Sequence, residues 1–464
     1  MGCALLRPSE AAPGIDREAI RRMAHQKLDE FLEVLFPVLE KDTAPKLRDI
    51  STHVTATRSI LLGGIMKCVT EEVARHYVEG SHADCPRCGK HLQMKRFDAK
   101  HVSTMNGAFD LRRGYFYCKP CGYGFHPMDD ALDLAREVHQ YDIQATLVRF
   151  AAEVPYDRAS ELFQLATGLS PGPHFGHDNL NRIGESTTVE IVMPSGEEIV
   201  KRIESAAKGS DRLPILVAAC DGAHAPTRPK AGRGKRGKGE WREVKGFRLY
   251  LLGEDGRIIH LAGWHQIQNA EQLAKDLEVV AARIPREKVR IALLGDGADW
   301  VWNVMRRAFP EGREVLDYYH VSDKICKVAK LQYGDTLTAL EWKEATVVRL
   351  YLDNTGYVIG GLRRMKPASL EVAEEVRKLI GYLTNHSDKF GYQECVDEGI
   401  PIGSGGIESA NKYISNLRLK VSGAWWLEVK GNAMLSIRCA IYNGTFEQVF
   451  KQYVAAKSRT EKTQ

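Results

Sequence analysis

No stretch of this 464-residue chain is apolar for long enough to span a bilayer. The run Ile60–Met66 stops at Lys67, short of the ~20 residues that a membrane helix needs. A secretory signal is lacking too, because Met1–Leu6 leads at once into Arg7 and Pro8 with no apolar core behind it. Leu6 stands where a myristoylation signal would have Ser or Thr. The expected compartment is the cytoplasm, with no membrane partner. Charge of one sign is scarce: 65 basic against 60 acidic residues leave a net +5, so the global balance declares no polyanionic partner. A disulfide framework is also missing. Of ten cysteines, four fall into two C-x-x-C pairs and six are scattered singly, a pattern that suits a reducing compartment with one metal site. No internal repeat breaks the chain into copies.

What is there describes a globular protein, with 44% hydrophobic and 27% charged residues, on a chain long enough for two to four domains. Charge is concentrated rather than absent. From Arg228 to Arg248 nine Lys or Arg stand against Glu240 and Glu243, a local net charge of +7.

Periodicity divides the chain into six segments. Residues 1–80 read as a helical N-terminal domain, because apolar residues recur at three- and four-residue spacing through Phe31, Leu35 and Leu39 and again through Ile60, Met66 and Val73. Residues 81–130 carry paired cysteines and short strand-like runs such as Leu111–Tyr117. Residues 131–210 return to helix. Three short helices between 138 and 185, separated at Val154-Pro155 and Gly168–Gly172, make either a helix-turn-helix DNA reader or a plain helical connector. From 211 to 320 the pattern is mixed: a buried strand Pro214–Cys220, a hairpin of Phe247–Leu252 and Arg257–Ala262, a helix Asn269–Ile284, a strand Val289–Leu294, a helix Ala298–Ala308 and a strand Glu314–Asp317. Three meandering strands followed by helix, strand, helix, strand is the order of an RNase H-like core with its later strands parallel to the first. Residues 321–400 read as a helical insertion and 401–464 as C-terminal helices that complete the core, with a last helical stretch from Gly406 to about Tyr453. The expected class is therefore α+β or α/β and multidomain: an RNase H-like core with a helical insertion, behind a zinc ribbon and helical N-terminal segments.

Cys85-Pro86-Arg87-Cys88-Gly89 and Cys118-Lys119-Pro120-Cys121-Gly122 are two similar knuckles. Each tight turn sets two thiolates on one side of an ion, and two turns complete a tetrahedral zinc site. Four sulfur ligands leave no open position, so Zn²⁺ at Cys85, Cys88, Cys118 and Cys121 is expected to be structural.

Asp221 is read at the end of the first buried strand, in Cys220-Asp221-Gly222, and Asp296 at the end of another, in Gly295-Asp296-Gly297. Ligands bind at the carboxyl ends of strands in such sheets, and neighbouring parallel strands bring the two carboxylates together. Two divalent ions ~3.5–4 Å apart call for a third carboxylate from a later helix. Of Glu394, Glu398 and Glu408, the last has the better setting. Ser404–Gly406 starts a helix, Glu408 falls in its first turns where the helix dipole favours a negative charge, and Ile407, Ala410, Ile414 and Leu417 form an apolar stripe with Asn411, Lys412 and Ser415 beside it.

The phrases Asp221-Gly222, Trp241–Lys245, Leu294–Trp300, Leu316–His320 and Pro401–Lys412, together with the cysteine stretch and Pro127–Asp129, resemble bacterial insertion-sequence transposases of the ISKra type, from about residue 80 to 445. The resemblance implies a DDE transposase whose triad is Asp221, Asp296 and Glu408, holding two Mg²⁺ or Mn²⁺ ions. It implies hydrolysis at a transposon end followed by attack of the freed 3′ hydroxyl on target DNA. Its partners would be double-stranded DNA, as transposon ends and target, and further copies of the chain; it would work at the bacterial nucleoid. Asp299 and Asp317 rank as supporting or structural acids. His320 would orient a phosphate or a ligand carboxylate, or else be a structural histidine. Arg228, Lys230, Arg233, Lys235, Arg236 and Lys238 form a loop suited to tracking phosphates, with a solvated loop as the alternative. Lys412, Arg418 and Lys420 are further candidates for DNA contact, and Trp425 and Trp426 either flank DNA or belong to the core. Competing readings are an RNase H-like nuclease without strand transfer and a domesticated DNA-binding protein.

Overall fold

The computed structural model describes residues 14–40, 46–229 and 239–463. Of the basic loop, Lys230, Arg233, Lys235, Arg236 and Lys238 lie outside the described residues. Two compact units are present, Met1–Asn179 with Val454–Gln464, and Leu180–Tyr453. Their boundary falls within the helix Pro173–Glu185, so the segment expected at 131–210 is shared between them.

The first unit opens with helices Arg17–Leu39 and Leu47–Val73. Asp16 starts the former by accepting from the N–H groups of Glu18 and Ala19 at 3.0 and 2.9 Å, the orphan donors of a first turn. The second helix rests on a hairpin turn, where Gly107 at φ +130° would bring a Cβ to 2.4 Å from Ser59 O. That turn joins β3 (Arg96–Thr104) to β4 (Gly107–Cys118), after a small hairpin of β1 (His82–Asp84) and β2 (His91–Gln93) and before β5 (Tyr123–Phe125). β3, β4 and β5 form an antiparallel sheet. Val102, Phe109 and Leu111 pack beneath it with Met66 and Leu134. Helices Tyr141–Glu153 and Tyr156–Thr167 follow around Ile143, Leu147 and Phe163.

The second unit is built on five strands, β6 (Ile215–Thr227), β7 (Glu240–Leu252), β8 (Ile258–Ile267), β9 (Arg290–Gly295) and β10 (Arg313–Leu316), in the spatial order β10-β9-β6-β7-β8. β6 to β8 are antiparallel neighbours; β9 and β10 run parallel to β6. A strand buried on both faces reads as a continuous apolar run, and Ile215–Cys220 in the middle of the sheet is fully buried. Crossover helices Ala270–Ala281 and Asp299–Ala308 connect the parallel strands; Asn269 begins the first by accepting from Gln272 N–H at 2.8 Å. The segment after β10 holds helices Tyr318–Tyr333, Leu337–Tyr351, Thr355–Arg364, Leu370–Asn385 and Tyr392–Asp397. The architecture is mixed α+β, with a five-stranded sheet and many helices. No helix among the described residues is long and apolar enough to cross a membrane.

One expectation is corrected. Asp221 does not end its strand: pairing of β6 with β9 stops at Ala219↔Leu294, but pairing with β7 continues through Thr227↔Glu240. The last helical stretch, 406–453, is interrupted. Gly405–Ala410 passes into a π-helical turn Asn411–Asn416 and a last turn Leu417–Leu419, and helix resumes only at Glu428–Asn443 and Phe446–Thr463. In the gap between Leu419 and Glu428, Trp426 bridges backbone to backbone with Thr227, donating its N–H to Pro226 O at 3.0 Å.

Two histidines in the sheet are held neutral by burial. His265 is brought down to about 3 and His260 to about 4, the latter against the pull of its contact with Asn443. A depressed histidine takes up its proton more readily in the unfolded chain. Stability is therefore full above pH ~6.5 and falls as pH drops toward the folded-state values, by about 2 kcal/mol per group at pH 5. Urea unfolding at pH 7 and pH 5 should show His265→Gln losing about 2 kcal/mol less than the parent between the two; an equal loss would mean that His265 is charged in the fold.

Candidate active site at one end of the sheet

The register of the sheet assembles the site. Counting on from Ala219↔Leu294, two residues further along each parallel strand lead to Asp221 and Asp296. One residue beyond Leu316↔Gly295 leads to Asp317 and Asp296. Asp317 N–H still donates to Gly295 O at 2.8 Å. On the other side Asp221 pairs with Gly246, which pairs with His265. Asp317, Asp296, Asp221, Gly246 and His265 thus form one row across all five strands.

Side chains directly opposite one another on neighbouring strands share a face, and the two faces of this sheet end have different occupants. Gly222↔Lys245 is the next pair along and turns the other way; Lys245 Nζ lies 3.9 Å from the Trp300 ring and 2.6 Å from Glu243 Oε2. The face of Asp221 is covered by the segment after Pro401. Asn411 Nδ2 donates to Asp221 Oδ2 at 2.6 Å, and the Gly222 N–H donates to the other carboxylate oxygen at 2.7 Å. Burial raises the Asp221 pKa and the negative charge of Asp296 raises it further, while Gly222, Asn411 and nearby His320 work to lower it; the net direction is up.

Asp317 is buried and organises the third side. It starts helix Tyr318–Tyr333 by accepting from His320 N–H at 2.7 Å, and its second oxygen accepts from Ser404 N–H. That contact brings the start of helix Gly405–Ala410 to the row, and Glu408 with it. His320 Nε2 lies 3.6 Å from Glu408 Oε1, which also accepts from Ser404 Oγ at 3.4 Å. Ligand atoms of Asp317, His320 and Glu408 lie within 4.8 Å of one another. Among the described residues the trio Asp221, Asp296 and Glu408 does not meet that distance; Asp221 and Asp296 sense each other, and Glu408 sits with Asp317 and His320. Tyr382 of the helical segment donates to Asp296 O at 2.7 Å. Glu394 and Glu398 both pair with Arg313, at 2.7 and 3.4 Å, and so are engaged elsewhere.

The other expected residues are distributed unevenly. Cys85, Cys88, Cys118 and Cys121 form a second group within 4.8 Å, with Cys85 Sγ 4.0 Å from Cys121 Sγ and Cys88 Sγ 3.6 Å from Cys118 Sγ. Burial opposes ionisation of Cys85, yet the N–H groups of Arg87 and Cys88 outweigh it and bring the thiol down to about 7. Arg228, Lys412 and Lys420 are exposed. Arg418, expected at DNA, is only 3% exposed and lies 5.7 Å from the Trp426 ring; a side chain packed under that indole is not presented to a phosphate. Trp426 belongs to the core at 8% exposure, whereas Trp425 is 44% exposed.

The contacts of Asp317 fit the supporting or structural place that the sequence suggests for it, whereas the sequence assigns no contact to Asn411 or His265. A signal for Asp317 was present: it follows β10 as Asp296 follows β9.

Known proteins resemble this chain only distantly. Its curated relatives include UPF0236 proteins. Three of these, from Caldanaerobacter subterraneus subsp. tengcongensis, are each 24% identical to it: one over 307 residues (64% of this chain, 58% of the relative), a second over 307 residues (64% and 55%) and a third over 271 residues (56% and 53%). The chain spans little more than half the length of these relatives. No family model matches. Among solved structures, a chain of the Drosophila P element transposase strand transfer complex aligns at 9% identity and a TM-score of 0.24, over 69% of this chain and 82% of that one, a likeness too low to carry an argument.

Gly246 is the gap in the row that makes room for the His265 ring: a Cβ there would lie 2.1 Å from His265 Cδ2. The ring is fully buried and Gly246 lies on an interior strand, so Gly246→Ala should destabilise the protein by about 1–3 kcal/mol, the usual cost of overpacking, measured as a lower urea midpoint. An unchanged midpoint would show that the ring can move aside.

Proposed function

We propose that this protein is a DDE transposase that cleaves DNA at the ends of an insertion sequence and transfers the strand to target DNA. The row of Asp317 and Asp296, just past the ends of β10 and β9, with Asp221 level with them inside β6, and with Glu408 and His320 brought beside it by helices, is the observation that carries this reading. The strand order, an antiparallel meander followed by two parallel strands reached through helices, supports an RNase H-like core. The helices between β10 and Glu408 would be its insertion.

The residues fit a pair of hard divalent cations, Mg²⁺ or Mn²⁺, in the chemistry of their donors. Carboxylate oxygens suit such ions, and among the described residues each oxygen of Asp221 accepts one hydrogen bond, which leaves acceptor capacity on both. Asp221, Asp296 and Glu408 would hold the ions, with His320 and Asp317 orienting Glu408. When bound, the ions supply a lower pKa for the attacking water or hydroxyl and charge stabilisation at the leaving oxygen. The protein's own residues do the rest. Asp317 fixes both the helix that carries His320 and the turn that carries Glu408. Arg228, Lys412 and Lys420, with the basic loop, would follow the phosphates of double-stranded DNA without reading bases. Copies of the chain would join to hold two transposon ends. At the four cysteines the ligand set suits structural Zn²⁺, closed to substrate.

Glu408→Gln should abolish Mg²⁺- or Mn²⁺-dependent cleavage of DNA bearing the element's ends while leaving DNA binding intact, whereas Glu394→Gln should cleave normally. Robust cleavage by Glu408→Gln, with Asp221→Asn as the control for contaminating nuclease, would sink the triad. Cleavage without any joined product would turn the reading toward a nuclease.

Thiolate binding is coupled to folding, so Cys88→Ser or Cys121→Ser should lower zinc content and soluble yield together. Metal analysis showing folded parent protein free of zinc would remove the metal from this group.

A further inference from the structure

A π-helical turn sits where the chain after Glu408 crosses Asp221. Such turns insert one extra residue per turn into a helix and are frequent at functional sites. Here the turn Asn411–Asn416 begins with a side chain that is 5% exposed and reaches Asp221 at 2.6 Å. Behind it lies His265, completely buried, in the slot left by Gly246. The Asn411 amide oxygen and both His265 ring nitrogens are buried without a well-formed hydrogen bond, although the amide lies close enough to the imidazole to pull its pKa upward against burial. Buried polar groups without partners are costly. Their retention beside a carboxylate points to a task beyond packing.

We propose that Asn411 is a positioning residue for Asp221, turned by the π-helical turn so that its Nδ2 holds one carboxylate oxygen while Gly222 N–H holds the other, with the His265 ring as the wall behind the amide. Each oxygen then keeps one defined direction free for a cation. A carboxylate with no such restraint could rotate about its Cβ–Cγ bond, and neighbouring Asp296 would push it away. Hydrogen bonds to ligand carboxylates commonly decide metal affinity in this way, by roughly 10- to 100-fold. The inference rests on the proposed cation site at Asp221 and extends it to a residue that is not itself a ligand.

The test titrates Mn²⁺ alone into the full-length, zinc-loaded protein by calorimetry, comparing the parent with Asp221→Asn, Asn411→Leu and Asn411→Ala. Leu keeps the branched shape of Asn without its donor, at a larger volume; Ala avoids overpacking should Leu not fold. Each variant is scored only with a parental near-ultraviolet circular dichroism spectrum. Asp221-dependent Mn²⁺ binding weakened about 10-fold or more in a folded Asn411 variant supports the positioning role. Binding by that variant at the parent's affinity overturns the role and leaves the cation site standing. If the parent binds no more Mn²⁺ than Asp221→Asn, the cation site itself is wrong and the role of Asn411 falls with it. Loss of the native spectrum in both Asn411 variants would make the residue a packing element and overturn the proposal as well.

Discussion

A negative charge at Asp221 is resisted from two directions. Burial removes the water that would solvate it, and Asp296 repels it. Much of the surrounding structure can be understood as an answer to that electrostatic conflict. The backbone of Gly222, the amide of Asn411 and the imidazole of His320 all act toward the ionised form, and they come from three separate parts of the chain. None of them lies on β9, which supplies the repelling partner. The conflict therefore persists in the folded protein and can be relieved further by positive charge arriving from outside, which is the property a cation-dependent site needs.

The second constraint is lateral. A sheet keeps its neighbours in register, so five strands present their side chains at one level only if each starts at the right residue. Parallel pairing delivers Asp296 and Asp317 to the level of Asp221, and antiparallel pairing delivers Gly246 and His265. A slip of one residue in β9 would turn Asp296 to the face of Trp300. The apolar stretches Ile215–Cys220 and Ala292–Leu294 are what resist that slip, since their burial on both faces ties register to the hydrophobic effect.

Much of this was legible from residue pattern. The runs of β6 and β9, the hairpin turn at Gly253–Gly256 and the crossover helices follow from periodicity and turn residues. Asp317 was harder to rank, because an aspartate before a helix reads first as an N-cap, and it is one; that it also receives the Ser404 N–H depends on a contact 87 residues away in sequence. The continuation of β6 past Asp221 was hidden because Gly222 and Pro226 look like strand breakers, while the pairing through Thr227↔Glu240 is a property of two strands together. The π-helical turn was invisible for a related reason. Ile407, Ala410 and Ile414 satisfy an ordinary helical stripe, and the contact of Asn411 with Asp221 lies 190 residues away in sequence, beyond the reach of any local pattern in Asn411–Asn416.

Between Asp317 and Ser404 the chain leaves the sheet, forms several helices and returns to within hydrogen-bond distance of its point of departure. The entropy of closing a loop grows only as the logarithm of its length, about 0.6 kcal/mol for each doubling. An excursion of this kind could therefore be lengthened or shortened at little thermodynamic expense while its two ends stay clasped by Asp317, Tyr318 N–H on Ile402 O and Ser404. The bulk of the excursion is free to vary in evolution, and the row at the sheet would register the change only if the clasp were loosened.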